Sequence, residues 1–259
     1  NVGVDYSAQK LLKDFDAVCL AGGCRVPRDL LIEGRDLKGI YFAMDYLTGS
    51  NKAVDNFASC QNGNLRSWPW FINAKDKKVL VIGGGDTGAD CVGTAHRQGA
   101  KSVVQIEVLT LKTSSSHEEG GERHWAILTK KFIGEKGNIK KLLCEKVESL
   151  EEGRNSPKPE GRRRKIPGSE FEIEVDLVIL AIGFIYPEHP GLLERLGVEF
   201  DSAGNVKTDD NYTTSIKGVF SAGDMRRGQS LIVWAISEGR RSAYCIDKYL
   251  MGQTFLPML

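Results

Sequence analysis

No C-x-x-C pair occurs in the 259 residues, although six cysteines are present: Cys19, Cys24, Cys60, Cys91, Cys144 and Cys245. A dithiol–disulfide reductase needs two neighbouring thiols, and a locally held iron–sulfur cluster needs four clustered ones, so neither chemistry is expected of this chain. No cysteine–histidine spacing of metal-ligand kind occurs either, and no metal ligand is assigned. His117, beside Glu118 and Glu119 in a Gly/Ser-rich stretch, reads as solvated surface. Unpaired thiols suit a reducing, cytoplasmic compartment. An excess of charge of one sign is also missing. The 35 basic and 34 acidic residues leave a formal net charge of +1, which gives no electrostatic reason to expect nucleic acid or a membrane surface as partner. The longest apolar run, Leu177 to Tyr186, is about half a membrane span, so no transmembrane helix is expected. The opening residues Asn1-Val2-Gly3-Val4-Asp5 carry neither an initiator Met nor a signal core, and the chain reads as part of a longer polypeptide.

What is present is the composition of an ordinary globular protein, 41% hydrophobic and 27% charged, of a length for one or two domains. Residues 7–14 have helical composition, and Asp16 to Gly23 is a short buried strand closed by glycines. Gly39 to Leu47 predicts a strand turning into a helix, and residues 48–75 are polar and irregular. Within them Trp68-Pro69-Trp70 reads as loop packing. From Lys77 the pattern becomes βαβ: strand 78–82, a small-residue helix from about Asp86 to Gln98 capped by Gly99, and a strand Ser102–Leu109. Lys130–Gly134, Lys140–Leu150 and Phe171–Val175 read as a meander, with Gly153–Lys165 and its run Arg162-Arg163-Arg164-Lys165 as a solvated hairpin tip. Asp176 to Gly183 is another buried strand ending in glycine. A final helix, about Ser230 to Leu250, sets Ile232, Ile236, Ala243, Ile246 and Leu250 on one face, which is expected to be core.

Two motifs carry chemistry. The strand Val79–Ile82 runs into Gly83-Gly84-Gly85-Asp86-Thr87-Gly88, a G-x-G-x-x-G with a strand before it and a helix after it. Gly83 permits the tight turn, Gly85 lets backbone approach a pyrophosphate, and Gly88 lets helix and strand pack closely. The helix end then offers unpaired N–H groups to phosphate. Glu107, at the end of the next strand, stands where a carboxylate takes ribose hydroxyls and repels a 2′-phosphate, which favours NADH over NADPH. The second motif is Gly218-Val219-Phe220-Ser221-Ala222-Gly223-Asp224, a strand ending in a carboxylate suited to the ribityl hydroxyls of a flavin. Gly228-Gln229-Ser230 follows as the start of a helix whose N–H groups would face the flavin's pyrimidine carbonyl. Hydride transfer between two such cofactors needs no acid or base, so no catalytic proton carrier is assigned.

These residues carry a resemblance. Arg35 to Asp45, Gly83 to Gly88, Leu128 to Gly134, and Ala222-Gly223-Asp224-Met225-Arg226-Arg227-Gly228-Gln229-Ser230 resemble the small (beta) subunit of glutamate synthase across essentially the whole chain. The resemblance implies an α/β fold of two Rossmann-like lobes, of the two-dinucleotide-binding flavoprotein type, with the FAD lobe incomplete. Residues 1–48 would be a remnant of the FAD lobe, 49–184 the NAD(P)-binding domain and 185–259 the return of the FAD lobe, with Gly183 at the end of a strand crossing between lobes. It implies electron transfer from NADH or NADPH to FAD, in support of reductive glutamate synthesis by a large partner subunit or domain. Iron–sulfur clusters, and the first FAD glycine loop, would belong to an amino-terminal half absent here. That family also has a longer Pro-rich connection after the strand ending at Leu109, where this chain passes directly to Lys112-Thr113-Ser114. Lys217 stands where the family usually has Pro. A related reductase of the dihydropyrimidine dehydrogenase type and a non-catalytic nucleotide-binding module stay open as alternatives.

Overall fold

A computed structural model describes residues 1–59, 71–109, 118–149 and 163–258. Trp68-Pro69-Trp70, Lys112, His117 and most of the 153–165 segment lie outside the described residues. In chain order the first elements are α1 (Ala8–Asp14), β1 (Val18–Leu20), β2 (Ile40–Phe42), α2 (Ala43–Ser59), β3 (Lys78–Ile82), α3 (Asp86–Arg97) and β4 (Ser102–Glu107). Then come β5 (Glu122–Trp125), β6 (Ile127–Glu135), β7 (Asn138–Ser149), β8 (Arg163–Lys165), β9 (Phe171–Glu174) and β10 (Leu177–Leu180). The last are α4 (Leu192–Leu196), β11 (Val219–Ser221), α5 (Asp224–Arg227) and α6 (Ile232–Met251). Among the described residues no helix is long and apolar enough to cross a membrane.

The chain forms two compact units, Asp29–Gly183 and the pair of segments Asn1–Arg28 and Phe184–Leu259. The first boundary differs from the expected one at residue 48. β2 pairs in parallel with β10, Ile40 opposite Val178 and Phe42 opposite Leu180, so residues 29–48 belong to the middle unit's sheet. The return falls after Gly183, where the buried strand pattern ends.

The middle unit is built on a parallel sheet of order β2-β10-β3-β4-β5. Its central strands are covered on both faces, and so read as unbroken apolar runs rather than as alternation. On β3, Leu80 and Ile82 pack with Ile106, Val178 and Leu180 against Phe132, Leu142 and Cys144 of the antiparallel sheet. Val79 and Val81 turn the other way, with Val103 and Ile179, onto Tyr46 of α2 and Cys91 and Ala95 of α3. Each such aliphatic side chain contributes about 1.5–3 kcal/mol by leaving water. The antiparallel sheet sets β6 and β9 beside β7, with β8 pairing further along β7. Lys136 and Gly137, both at positive φ (51° and 78°), turn β6 into β7 with Glu135 opposite Asn138. Two such residues in a two-residue turn match the twist of the flanking strands.

α3 closes as its glycine predicts. Gly99 N–H donates to His96 O at 2.9 Å and Ala100 N–H to Ala95 O at 3.0 Å, with Gly99 at φ 81°. Two features differ from expectation. α2 continues to Ser59 through a stretch read as irregular. β5, polar in sequence, joins the sheet edge by backbone pairing with β4, which needs no apolar pattern.

In the other unit β1 and β11 pair in parallel, Val18 opposite Val219. One side packs Leu20 and Val219 on Ala8 of α1, Leu193 and Leu196 of α4, and Val206. The other packs Phe220 on Tyr212 and Cys245. Ser7 caps α1, its Oγ accepting from Lys10 N–H at 3.2 Å. α6 starts at Ile232, later than Ser230, and its orientation corrects the sequence reading. Ile232, Ile236 and Leu250 are exposed (78%, 52% and 48%), while the buried positions are Glu238, Ser242 and Cys245. At 3.6 residues per turn the buried face lies about a third of a turn from the apolar one. The polar bonds of Glu238 set that rotation.

Candidate functional site

The first glycine loop joins β3 to α3. Gly83 sits at φ 119°, and a Cβ there would lie 2.6 Å from the carbonyl carbon of Ala181, just past the end of β10. Gly88, in the first turn of α3, would place a Cβ against Gly83 O and 2.9 Å from Gln105 Nε2. Only glycine lets the helix lie this close to the strand it follows. Gly85 differs: it is extended (φ −77°, ψ −179°), and a Cβ on it would meet nothing within 4 Å. It is also the N-cap of α3 and makes no side-chain cap bond. Asp86 and Thr87 open the helix behind it, so the first N–H groups of a twelve-residue helix have no side-chain cap, and Gly85 and Asp86 beside them are exposed. That is the cradle an anionic diphosphate requires.

Glu107 reaches this loop from the end of β4. Its Oε2 accepts from Gly84 N–H at 2.6 Å, while Oε1 accepts from Val108 N–H at 2.7 Å and Leu109 N–H at 3.0 Å. A carboxylate has about four acceptor positions, so one is left for a ligand hydroxyl. Gln105, two residues back on β4, is 1% exposed and donates from Nε2 to Gly83 O at 2.9 Å. Its Oε1 has no partner. An unsatisfied buried acceptor costs about 1–3 kcal/mol. The sequence reading passed over Gln105. The available signal was a lone amide in the otherwise apolar run Val103-Val104-Gln105-Ile106. Gly183, also named from sequence, stands at φ 89° at the end of the middle unit.

The second loop lies in the unit formed by the two terminal segments and follows β11. Ala222 N–H donates to Leu20 O at 3.1 Å, as does Ser221 Oγ, so the loop is anchored to β1. Gly223 turns at φ 69° into the single turn of α5, and Gly228 ends it at φ 82°. Asp224 Oδ1 accepts from Ser230 Oγ at 2.8 Å and from Ser230 N–H at 3.2 Å. Gly223, Asp224, Gly228 and Ser230 are thus brought together. Gln229 is not turned to them: its Oε1 accepts from Phe184 N–H at 2.7 Å. Its predicted place at the start of the final helix is also corrected, since α6 begins after Leu231.

Glu238 holds this turn, and no motif or periodicity points to it. It is 2% exposed, with Oε2 accepting from Gly223 N–H at 2.9 Å and Oε1 accepting from Arg226 Nη1 and Arg227 Nε, each at 2.9 Å. The two guanidinium groups cover Tyr212 and Trp234, each 4.5 Å from the ring centre. Beside the turn a cavity of about 420 Å³ is walled by Gly23, Ala222, Gly223, Asp224, Ala235 and Gly239, among others. Small side chains leave backbone at its wall, so a flat or extended group can lie close. Cys24 Sγ donates to Asp224 O at 2.8 Å, and burial, helped by the charge of Asp224, pushes its thiol up to about 11. Burial likewise raises Cys19, Cys91 and Cys144. These are proton-holding, unreactive thiols at neutral pH.

A family model described as pyridine nucleotide-disulphide oxidoreductase matches residues 3–239. The chain belongs to the pyridine nucleotide-disulphide oxidoreductase family. This member of the family is 46% identical over 275 residues to the glutamate synthase [NADPH] small chain of Mycobacterium tuberculosis, a match covering 99% of this chain and 54% of that one. It is 42% identical to the small chain of the same description from Bacillus subtilis, covering 99% and 55%. To glutamate synthase [NADH] of Schizosaccharomyces pombe it is 40% identical, covering 98% and 13%. The chain spans about half the length of the bacterial relatives it matches. Among solved structures, FprA of Mycobacterium tuberculosis in complex with NADPH aligns at TM-score 0.69 and 15% identity over 97% of this chain and 67% of that one. Thioredoxin reductase of T. acidophilum aligns at 0.60 and 19%, over 91% and 66%. The fold is α/β with two Rossmann-like lobes, of the two-dinucleotide-binding flavoprotein type.

Proposed function

We propose that this chain is the NAD(P)H-oxidising part of a flavoprotein that supplies electrons for glutamate synthesis by a large partner subunit or domain. The observation that carries the reading is the pair of built loops. Gly83–Gly88 opens an uncapped helix beside the exposed Gly85 and Asp86, and Gly223–Ser230 presents a buttressed carboxylate beside a small-residue cavity. The matches to glutamate synthase small chains supply the process.

The residues fit both cofactors. Gly85 and the N–H groups of Asp86, Thr87 and Gly88 would hold the diphosphate of the nicotinamide dinucleotide, and Gly83 and Gly84 would shape the turn. The free acceptor position of Glu107 would take a ribose hydroxyl, and its charge would disfavour a 2′-phosphate, so we assign NADH as the preferred coenzyme. Asp224, with Oδ1 already fixed by Ser230, would offer Oδ2 to the ribityl chain of FAD, and Gly223 and Gly228 would set its direction. When both are bound, the cofactors supply the chemistry, a hydride passing from nicotinamide to flavin. The chain's own residues bind, orient and exclude water, and none carries a proton for that step.

Gln229 would meet the flavin through its backbone N–H, since its side chain accepts from Phe184 N–H where the terminal unit resumes. Gly183 gives the turn at that point. The outward apolar side of α6, with Leu231, Ile232 and Val233 exposed at 68%, 78% and 64%, is where the upstream half of the full-length protein would pack. That half would also hold the iron–sulfur clusters and the first FAD glycine loop. The unpaired cysteines among the described residues support a reducing, cytoplasmic setting.

The test is the full-length protein. It should show flavin absorbance with broad cluster bands and reduce an artificial acceptor with NADH. Colourless full-length protein without diaphorase activity would leave a non-catalytic nucleotide-binding module instead.

A further inference from the structure

We propose that Gln105 is a positioning residue for the dinucleotide loop: with Glu107 it clamps the one peptide unit between Gly83 and Gly84 from both ends. The proposal rests on the reading that Gly83–Gly88 cradles a dinucleotide. The Gly83 carbonyl and the Gly84 N–H belong to a single rigid plane, and in a trans peptide they point in opposite directions. Gln105 Nε2 donates to the oxygen at 2.9 Å, and Glu107 Oε2 accepts from the N–H at 2.6 Å. Residues two apart on a strand project from the same face, so β4 delivers both arms of the clamp together. Any rotation of the plane breaks both bonds at once.

The loop needs such a device. Gly83, Gly84 and Gly85 have no Cβ, so sterics alone leave their peptide planes free to turn. The orientation of the 83–84 plane sets where the next N–H groups, those opening α3, are aimed. Core packing gives no reason for an amide at this place. Gln105 is 1% exposed with Oε1 unpartnered, and an apolar chain of equal length would fill the same space without an orphaned acceptor. The bond to Gly83 O is what the amide contributes. Gly88 completes the arrangement, since a Cβ there would press on both Gly83 O and Gln105 Nε2. Gln105 itself touches no ligand. It acts through the loop, and its effect falls on affinity for the diphosphate.

The experiment uses full-length protein and NAD⁺, which delivers no hydride, so binding is read without turnover. Gln105→Met keeps length and apolar contact but lacks the donor. Its Kd for NAD⁺ should be about five- to tenfold weaker, the value of one neutral hydrogen bond. Gln105→Glu, measured in mildly acidic buffer, stays protonated because it is buried, and its O–H can donate to Gly83 O. Its Kd should return to within about twofold of wild type, a rescue that a role in packing alone would not produce. With selective ¹⁵N-glycine labelling, the Gly84 and Gly85 amide signals should shift in Gln105→Met and return in Gln105→Glu. If Gln105→Met does not fold, Gln105→Asn, too short to reach Gly83, takes its place with the same expected loss. Wild-type binding matched by Gln105→Met, with the Gly84 signal unmoved, overturns the clamp and leaves the site intact. Failure of wild type to bind either NAD⁺ or NADP⁺ removes the dinucleotide reading of the loop, and the clamp with it.

Discussion

Replacing Glu238 should unfasten the turn that carries Asp224, and the structure sets the size of the effect. Glu238→Ala removes the acceptor for three donors, Gly223 N–H, Arg226 Nη1 and Arg227 Nε, from a position that is 2% exposed. Breaking a fully buried ion pair costs about 3–5 kcal/mol. Here the arginine side chains are 26% and 38% exposed and regain water, so about 2–4 kcal/mol is expected after that discount. Glu238→Gln keeps one acceptor oxygen. If that oxygen serves the arginines, its NH₂ meets the Gly223 N–H donor to donor, a loss of about 1.5–3 kcal/mol. The expected order of stability is wild type, then Gln, then Ala. The assay is urea unfolding followed by Trp234, whose ring Arg227 covers, in a background with Trp68, Trp70 and Trp125 replaced by Phe. In the full-length protein, flavin content should fall in the same order. A Glu238→Ala variant within about 0.5 kcal/mol of wild type, the scatter of ordinary surface changes, would refute the buttress. So would a Gln variant less stable than the Ala variant.

Five further outcomes are expected. Gly85→Ala, with open space around the new methyl, should stay within about 1 kcal/mol of wild-type stability, the range of an N-cap change, yet lose NAD⁺ affinity in calorimetry. Gly88→Ala should lose both, because its methyl strikes backbone. Asp224→Ala should lower FAD occupancy of the full-length protein while the middle unit melts as before, which absorbance ratios and calorimetric scans read together. Glu107→Ser should weaken both coenzymes, since three backbone N–H groups lose their acceptor, and should move the kcat/KM ratio toward NADPH; an unmoved ratio removes Glu107 from coenzyme choice. The Cys24 and Cys144 thiols, raised to about 11 from an ordinary value near 9, keep their protons in the folded state after the unfolded chain has lost them. Their stabilisation is complete below about pH 9 and lost as pH climbs to about 11. Cys24→Ala and Cys144→Ala should each flatten that slope in chemical denaturation.

The middle unit was legible because its signals are local. Val79–Ile82 is apolar throughout since both faces of β3 are covered, and the glycines at 83, 88 and 99 each meet a backbone demand that only glycine satisfies without strain. What the sequence concealed was polar and long-range. Glu238 is buried on a helix where Ile232, Ile236 and Leu250 are exposed, so hydrophobic periodicity pointed α6 about a third of a turn away from its packed face. Gln105 stands out as a lone amide in an apolar strand run, yet nothing in that run names its partner, Gly83, 22 positions earlier. β5 joins by main-chain bonds alone, and β2 pairs with β10, a partner far along the chain.

The discontinuity of one unit bears on how the polypeptide is made. β1 must wait for β11, whose Ser221 meets Leu20 201 positions away. Closing so long a loop from a disordered chain costs about 5 kcal/mol by the logarithmic law. Asp29–Gly183, by contrast, is one uninterrupted stretch with its own two-sided core. During synthesis it can condense while the terminal strands are still separated, and once folded it shortens the loop that β1 and β11 must close. The order of assembly is thereby written into the chain: the inserted body first, then the unit that depends on it as a spacer. Deleting residues 29–183, so that Arg28 joins Phe184 directly, should remove that dependence and let the terminal segments pair without the inserted body.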